Sequence, residues 1–223
     1  GAGDVVSAIA RLINTRTRMV VLSHLTWNTG AILPVAEVAE LAHRIGALVV
    51  VDGAQSAGSI PVDVTTLGID VYAIPGQKWL CGPEGTGAVY FSDDALDQLY
   101  LTIVGYASLA PSGLEPIGGY FVPKATAERF EVGGVHLPAL AGQVAALRWL
   151  REEVGYDWIF QRISELGRFA AQRLATLDGV QVLTPLDRMA GLVSFTVRDC
   201  DPQKLVEALA QRNVIVRWIT HPY

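Results

Sequence analysis

The sequence predicts an α/β fold: a mostly parallel sheet sandwiched by helices, with part of a smaller α+β unit at its C-terminal end. Three observations predict it. Short, nearly continuous apolar runs at 18–24, 48–52 and 70–74 read as strands of a sheet covered on both faces. Helical patterns alternate with these runs, as they do where crossovers join parallel strands. After Gly179 the order changes to strand, strand, helix, strand.

The elements follow in order. Residues 4–13 read as the end of an amphipathic helix, and 18–24 as a strand ending at His24. Pro34, tolerated in a first turn, opens a helix to about Ile45, which Gly46 stops. Strand 48–52 ends in Asp52 and enters a turn of small residues, 53–58. Residues 63–68 fit one helical turn. Strand 70–74 leads to Lys78, then to the glycine-rich loop 82–87 and a strand at 88–91. Residues 105–138 are rich in Gly and Pro and lack periodicity, a long irregular segment of the kind that serves function or an interface. Helices follow at about 140–153 and 157–177, then strands at 180–183 and 191–197, a helix at 202–211 and a strand at 214–218. The implied units are 1–155, a large ligand-binding domain, and 156–223, a linking helix with a partial small domain. Gly1 enters directly into a helix, and Tyr223 stops beside a poorly supported edge strand, so both ends read as cut.

Composition narrows the function. With 51% apolar and 17% charged residues, the chain is globular. A net charge of −5 and the lack of a Lys/Arg run argue against a nucleic-acid surface. No apolar stretch is long enough to span a bilayer, and none has a signal peptide's flanks. Cys81 and Cys200 make no CxxC pair, which suits a reducing cytoplasm. His24, His43, His136 and His221 are scattered without ligand spacing, so no metal site is expected.

The chemistry concentrates where two strands end. Asp52 closes one, and Lys78 stands just past the next. Ligands of such sheets sit at the carboxyl ends of the strands. A carboxylate and an amine at that edge suit pyridoxal 5'-phosphate: the amine makes a Schiff base, and the carboxylate keeps a proton on the ring nitrogen. A nicotinamide site fits poorly, because no GxGxxG run follows a strand and opens a helix.

Three motifs carry a family resemblance: Ser23-His-Leu-Thr-Trp-Asn-Thr-Gly30, Val51-Asp-Gly-Ala-Gln-Ser-Ala-Gly58 and Gly76-Gln-Lys-Trp-Leu-Cys-Gly-Pro-Glu-Gly-Thr-Gly87, extended by Arg129-Phe-Glu-Val-Gly133. They resemble the class V aminotransferases, fold-type I pyridoxal phosphate enzymes that include cysteine desulfurases, C–S lyases and isopenicillin N epimerase. The resemblance implies Lys78 as catalytic residue and cofactor anchor, favoured by a mostly buried pocket. It implies Asp52 at the pyridinium nitrogen, Gln55 at the phenolic oxygen, and Gln77 at the phosphate. Asn28 is implied near cofactor or substrate. His24 is either an active-site wall or a core histidine. Gly133 and Gly134 match a segment that reaches a neighbouring subunit's phosphate, and Arg217 an arginine that faces the substrate. Trp27 and Trp79 read as packing.

The implied protein is a cytoplasmic homodimer with shared sites, acting on a small amino-acid substrate. Aminotransferase, C–S lyase and epimerase chemistry stay open. Cysteine desulfurase ranks below them, because Pro222 stands where that nucleophile is expected and neither Cys81 nor Cys200 replaces it. An inactive scaffold domain of the same fold is a further alternative.

Overall fold

The computed structural model describes residues 2–115 and 120–219. The expectations placed on His221, Pro222 and Tyr223 lie outside them.

The large unit is built on four strands in the order β1 (Met19–Ser23), β2 (Leu48–Asp52), β3 (Val71–Pro75) and β4 (Gly87–Phe91). The first three are parallel, and β4 returns antiparallel to β3. Helix α1 (Ala2–Leu12) packs on α2 (Val35–His43), and α2 packs on β1 and β2. Period-two alternation sends Val49, Val51 and Tyr72 into one core with Val35, Ala39 and Ala42 of α2. Burying each of the three valines is worth about 1.5–3 kcal/mol relative to exposure.

Asp70, just before β3, is a buried carboxylate with every neighbour it needs. Its Oδ2 accepts from Val49 N at 2.7 Å and lies 2.8 Å from His43 Nε2, while Oδ1 accepts from Ser92 Oγ at 3.2 Å. It ties β2, α2 and the start of α3 (Asp93–Gln98) to the amino end of the sheet. Helix α3 escapes the sequence reading although its signal is local. Ser92 Oγ accepts from Ala95 N at 3.1 Å, and two acids occupy the first turn.

Residues 63–68 do make the expected single turn: Leu67 N donates to Asp63 O at 3.0 Å, and Asp63 Oδ1 caps the turn by accepting from Thr65 N and Thr66 N. Other expectations change. The second sheet face is only partly covered among the described residues: Phe91 stacks on Phe130, but Val21 is 67% exposed. Segment 105–138 is not wholly irregular. It holds a hairpin of β5 (Leu109–Glu115) and β6 (Tyr120–Pro123).

Helix α4 (Leu137–Trp149) runs through a π-helical turn, Leu150–Val154, into α5 (Tyr156–Ala175). Strands β7 (Val180–Val182) and β8 (Phe195–Val197) pair antiparallel, followed by α6 (Pro202–Ala210), which Asp201 caps. The strand expected at 214–218 pairs with nothing among the described residues, and Ile215 stands 92% exposed.

The segment before β8 reaches back to the large unit. Ile32 N donates to Arg188 O at 2.9 Å, and Ala31 bridges Met189. Gly30 makes this approach possible: its φ is +71°, and a Cβ there would stand 2.3 Å from Leu192 O.

Candidate active site

The parallel register places Ser23 and Asp52, the last residues of β1 and β2, side by side, with Ala73 in the middle of β3 next in the row. This row lies on the sheet face opposite the core. Asp52 therefore emerges exposed, where a side chain one position earlier would be buried. Its Oδ1 accepts from Ala54 N at 2.8 Å, which starts the turn toward Gln55 and leaves the second oxygen uncommitted among the described residues. Gly53 follows because the Tyr72 ring lies beneath it; a Cβ there would stand 2.4 Å from Tyr72 Cε1.

Lys78 is carried by a closed loop. Gly76 N donates to Thr86 O and Gly82 N to Gly76 O, each at 2.8 Å, and Cys81 N donates to Lys78 O at 3.0 Å. Gln143 of α4 is buried against this loop, with Oε1 2.7 Å from Thr86 Oγ1 and Nε2 3.4 Å from Leu80 O.

These pieces converge on a cleft of about 220 Å³ lined by Ser23, Leu25, Trp27, Asp52, Ala54, Gln55, Lys78 and Arg217. The expected acid, amide, lysine and arginine thus share one cleft. Lys78 is exposed rather than mostly buried among the described residues. Trp27, read as packing, is a wall of the cleft: the Arg217 guanidinium lies 5.9 Å from its ring centroid. Trp79 also does more than pack, donating from Nε1 to Gln55 Oε1 at 3.1 Å. Neither role has a spacing signal in sequence, since each depends on a tertiary meeting.

Other expected residues do not line the cleft. His24 is 5% exposed and lies behind it, with Nδ1 3.1 Å from the Tyr72 hydroxyl. Burial pushes its pKa down to about 4, so its imidazole is neutral at pH 7. Burial raises the Tyr72 pKa, against the lowering effect of its Ser56 bond; the Asp52 charge raises it further. Asn28 is half-buried, while Gln77 and Gly134 are exposed. Cys81 is exposed on the Lys78 loop, and Cys200 is half-buried. Neither lines the cleft. Among the described residues, no cluster of His, Cys, Asp and Glu is arranged to hold a metal ion.

The family model for class V aminotransferases matches residues 3–219. The chain belongs to that family. A probable cysteine desulfurase of Halalkalibacterium halodurans is 34% identical over 94% of this chain and 50% of its own length. The cystine C–S lyase C-DES, solved with its product cysteine persulfide, is 35% identical with a TM-score of 0.86, over 98% of this chain and 58% of C-DES. A mutant of C-DES has been solved with glycine covalently linked to its PLP cofactor; it covers 96% of this chain and 56% of its own, with 35% identity and a TM-score of 0.85. The chain thus spans about half the length of the relatives it matches. This family's α/β fold, with a mostly parallel sheet, is the fold described above.

Proposed function

We propose that the protein is a pyridoxal phosphate-dependent enzyme acting on an amino acid through Lys78. The observation that carries the reading is the convergence of Lys78, Asp52 and Gln55 on one cleft at the carboxyl ends of parallel strands. The donor set fits the cofactor: an amine for its aldehyde, a carboxylate oxygen with no other partner among the described residues for its ring nitrogen, and an amide for its phenolic oxygen. When bound, the cofactor supplies an electron sink for charge developing at the substrate Cα.

This chain's residues do the rest. The Lys78 amine anchors the cofactor and then moves a proton at Cα. Asp52 holds a proton at the ring nitrogen by its negative charge. Arg217, braced on the Trp27 ring, places a cation at the cleft wall for an anionic substrate group. Gln77 and Asn28 complete the cofactor's surroundings in this reading, with Gly134 reaching a partner's phosphate group.

The substrate class we favour is a sulfur-containing amino acid, since the relatives act on cysteine or cystine. Loss of the Cβ sulfur group is the leading reaction. Transamination and epimerisation use the same Cα proton step. The desulfurase likeness supports a second reading, in which an enzyme thiol takes the sulfur; Pro222 at the nucleophile position counts against it.

We further propose a cytoplasmic homodimer with residues 1–155 as the cofactor-binding domain. The apolar hairpin strand β6 supports a dimer, with Tyr120 60% and Phe121 42% exposed. Among the described residues, no helix is long and apolar enough to cross a membrane.

The test is turnover of cystine and cysteine by the protein supplied with pyridoxal phosphate. Pyruvate formation that Lys78→Ala abolishes supports the lyase reading. Alanine formation with sulfur retained on the protein supports the desulfurase reading. Full turnover by Lys78→Ala, with no added amine, would overturn both.

A further inference from the structure

Trp79 immediately follows Lys78, yet its indole turns back across the loop to Gln55. The Nε1–H donates to Gln55 Oε1 at 3.1 Å. An indole nitrogen can only donate, so it fixes which end of the Gln55 amide faces it. The reverse orientation would set two donors against each other. The carboxamide oxygen is therefore committed to Trp79, and the NH2 group is left for the cleft that Gln55 lines. That NH2 has no protein partner among the described residues.

The ring is itself held on other sides. A Cβ on Gly191 would stand 3.3 Å from Trp79 Cη2, so the segment before β8 leaves room for the indole and no more. A Cβ on Gly58 would stand 3.1 Å from Trp79 Cβ and 2.8 Å from Leu80 Cδ2, so the end of the Gln55 turn packs directly on the chain after Lys78. A lysine loop, an amide turn and the C-terminal unit thus meet on one side chain.

We propose that Trp79 is a positioning residue that sets the Gln55 amide to donate, rather than accept, at the cleft. The inference rests on the reading of the cleft as a pyridoxal phosphate site. There, the Gln55 NH2 donates to the cofactor's phenolic oxygen and favours its ionised form. Without the indole N–H, only the phenolic oxygen itself orients the amide, and the carboxamide is free to turn or shift toward other partners. The donor bond is then weaker and made for less of the time.

The test is a pH titration of the visible absorbance of the lysine-linked cofactor in the loaded protein. A donor bond to the phenolic oxygen competes with the nearby lysine-nitrogen proton for that oxygen and so lowers the titration midpoint. Trp79→Phe keeps an aromatic ring and removes the N–H. Its midpoint is expected to rise by about half a unit to one unit. Gln55→Ala should shift it at least as far in the same direction, and adding Trp79→Phe to Gln55→Ala should shift it no further. A wild-type midpoint in Trp79→Phe overturns the proposal, as does an undiminished Trp79→Phe shift in the Gln55→Ala background.

The indole N–H resonance of Trp79 keeps the test independent of that variant's folding. Gln55→Leu should move it, and an unmoved resonance overturns the proposal. Absence of lysine-linked absorbance in the unsubstituted protein is a different result, which overturns the cofactor reading itself.

Discussion

The Tyr72 hydroxyl sits 2.6 Å from Ser56 Oγ, so the strand that leads to Lys78 is bonded directly to the turn that carries Gln55. Tyr72 is 1% exposed and Ser56 fully buried, so neither group has water as an alternative partner. The same hydroxyl lies 3.1 Å from His24 Nδ1, which brings β1 into the network. Three polar side chains thus tie β3 to the end of β1 and to the turn after β2, beneath the site.

Tyr72→Phe removes the hydroxyl and leaves the Ser56 and His24 groups buried without it. The expected loss is about 1–3 kcal/mol in the free energy of urea unfolding. A stability equal to wild type would show that the network does not brace the site.

His24 makes stability depend on pH. Its folded pKa, lowered by burial to about 4, lies below the ordinary value of 6.5. The unfolded chain therefore takes up the proton first. The contribution is complete above pH 6.5, falls as pH drops, and is gone below about pH 4. Its full size is about 3 kcal/mol. His24→Gln should flatten the stability profile between pH 6.5 and 4. Parallel urea profiles for the two proteins over that range would contradict the assignment.

Gly30→Ala tests the contact between the large unit and the segment before β8. The left-handed φ and the Leu192 carbonyl 2.3 Å from the new Cβ both oppose the substitution. A loss of about 2–3 kcal/mol is expected in urea unfolding. A neutral effect would mean that this approach is not fixed.

Gln143→Leu keeps the volume of the side chain and removes its bonds to Thr86 and Leu80. Amides of 76–82 should then exchange hydrogen faster, by about 5- to 30-fold for a loss of 1–2 kcal/mol. Unchanged exchange there would show that α4 does not pin the lysine loop.

How much of this was legible in the sequence follows from which interactions are local. Strand 48–52 and the Asp52 turn could be read because apolar runs and Asp-Gly are short-range signals. Lys78 and Asp52 could be paired because neighbouring parallel strands end on one edge. The partners of Trp79 and Trp27 could not, because Gln55 and Arg217 reach them through the folded chain rather than at a helical or strand spacing. His24 stayed ambiguous for the same reason, since only Tyr72 decides whether it faces the core. The strand pattern at 214–218 misled because alternation describes a residue's fitness for a sheet, whereas a strand also needs a neighbour to pair with.

The central claim is that Lys78 is the cofactor anchor. The measurement is peptide mass after pyridoxal phosphate is added and the protein is reduced with borohydride. The account predicts one phosphopyridoxyl group per chain, on the peptide that contains Lys78 and absent from Lys78→Ala. An adduct confined to another lysine, or none on the protein in its longest available form, would contradict it.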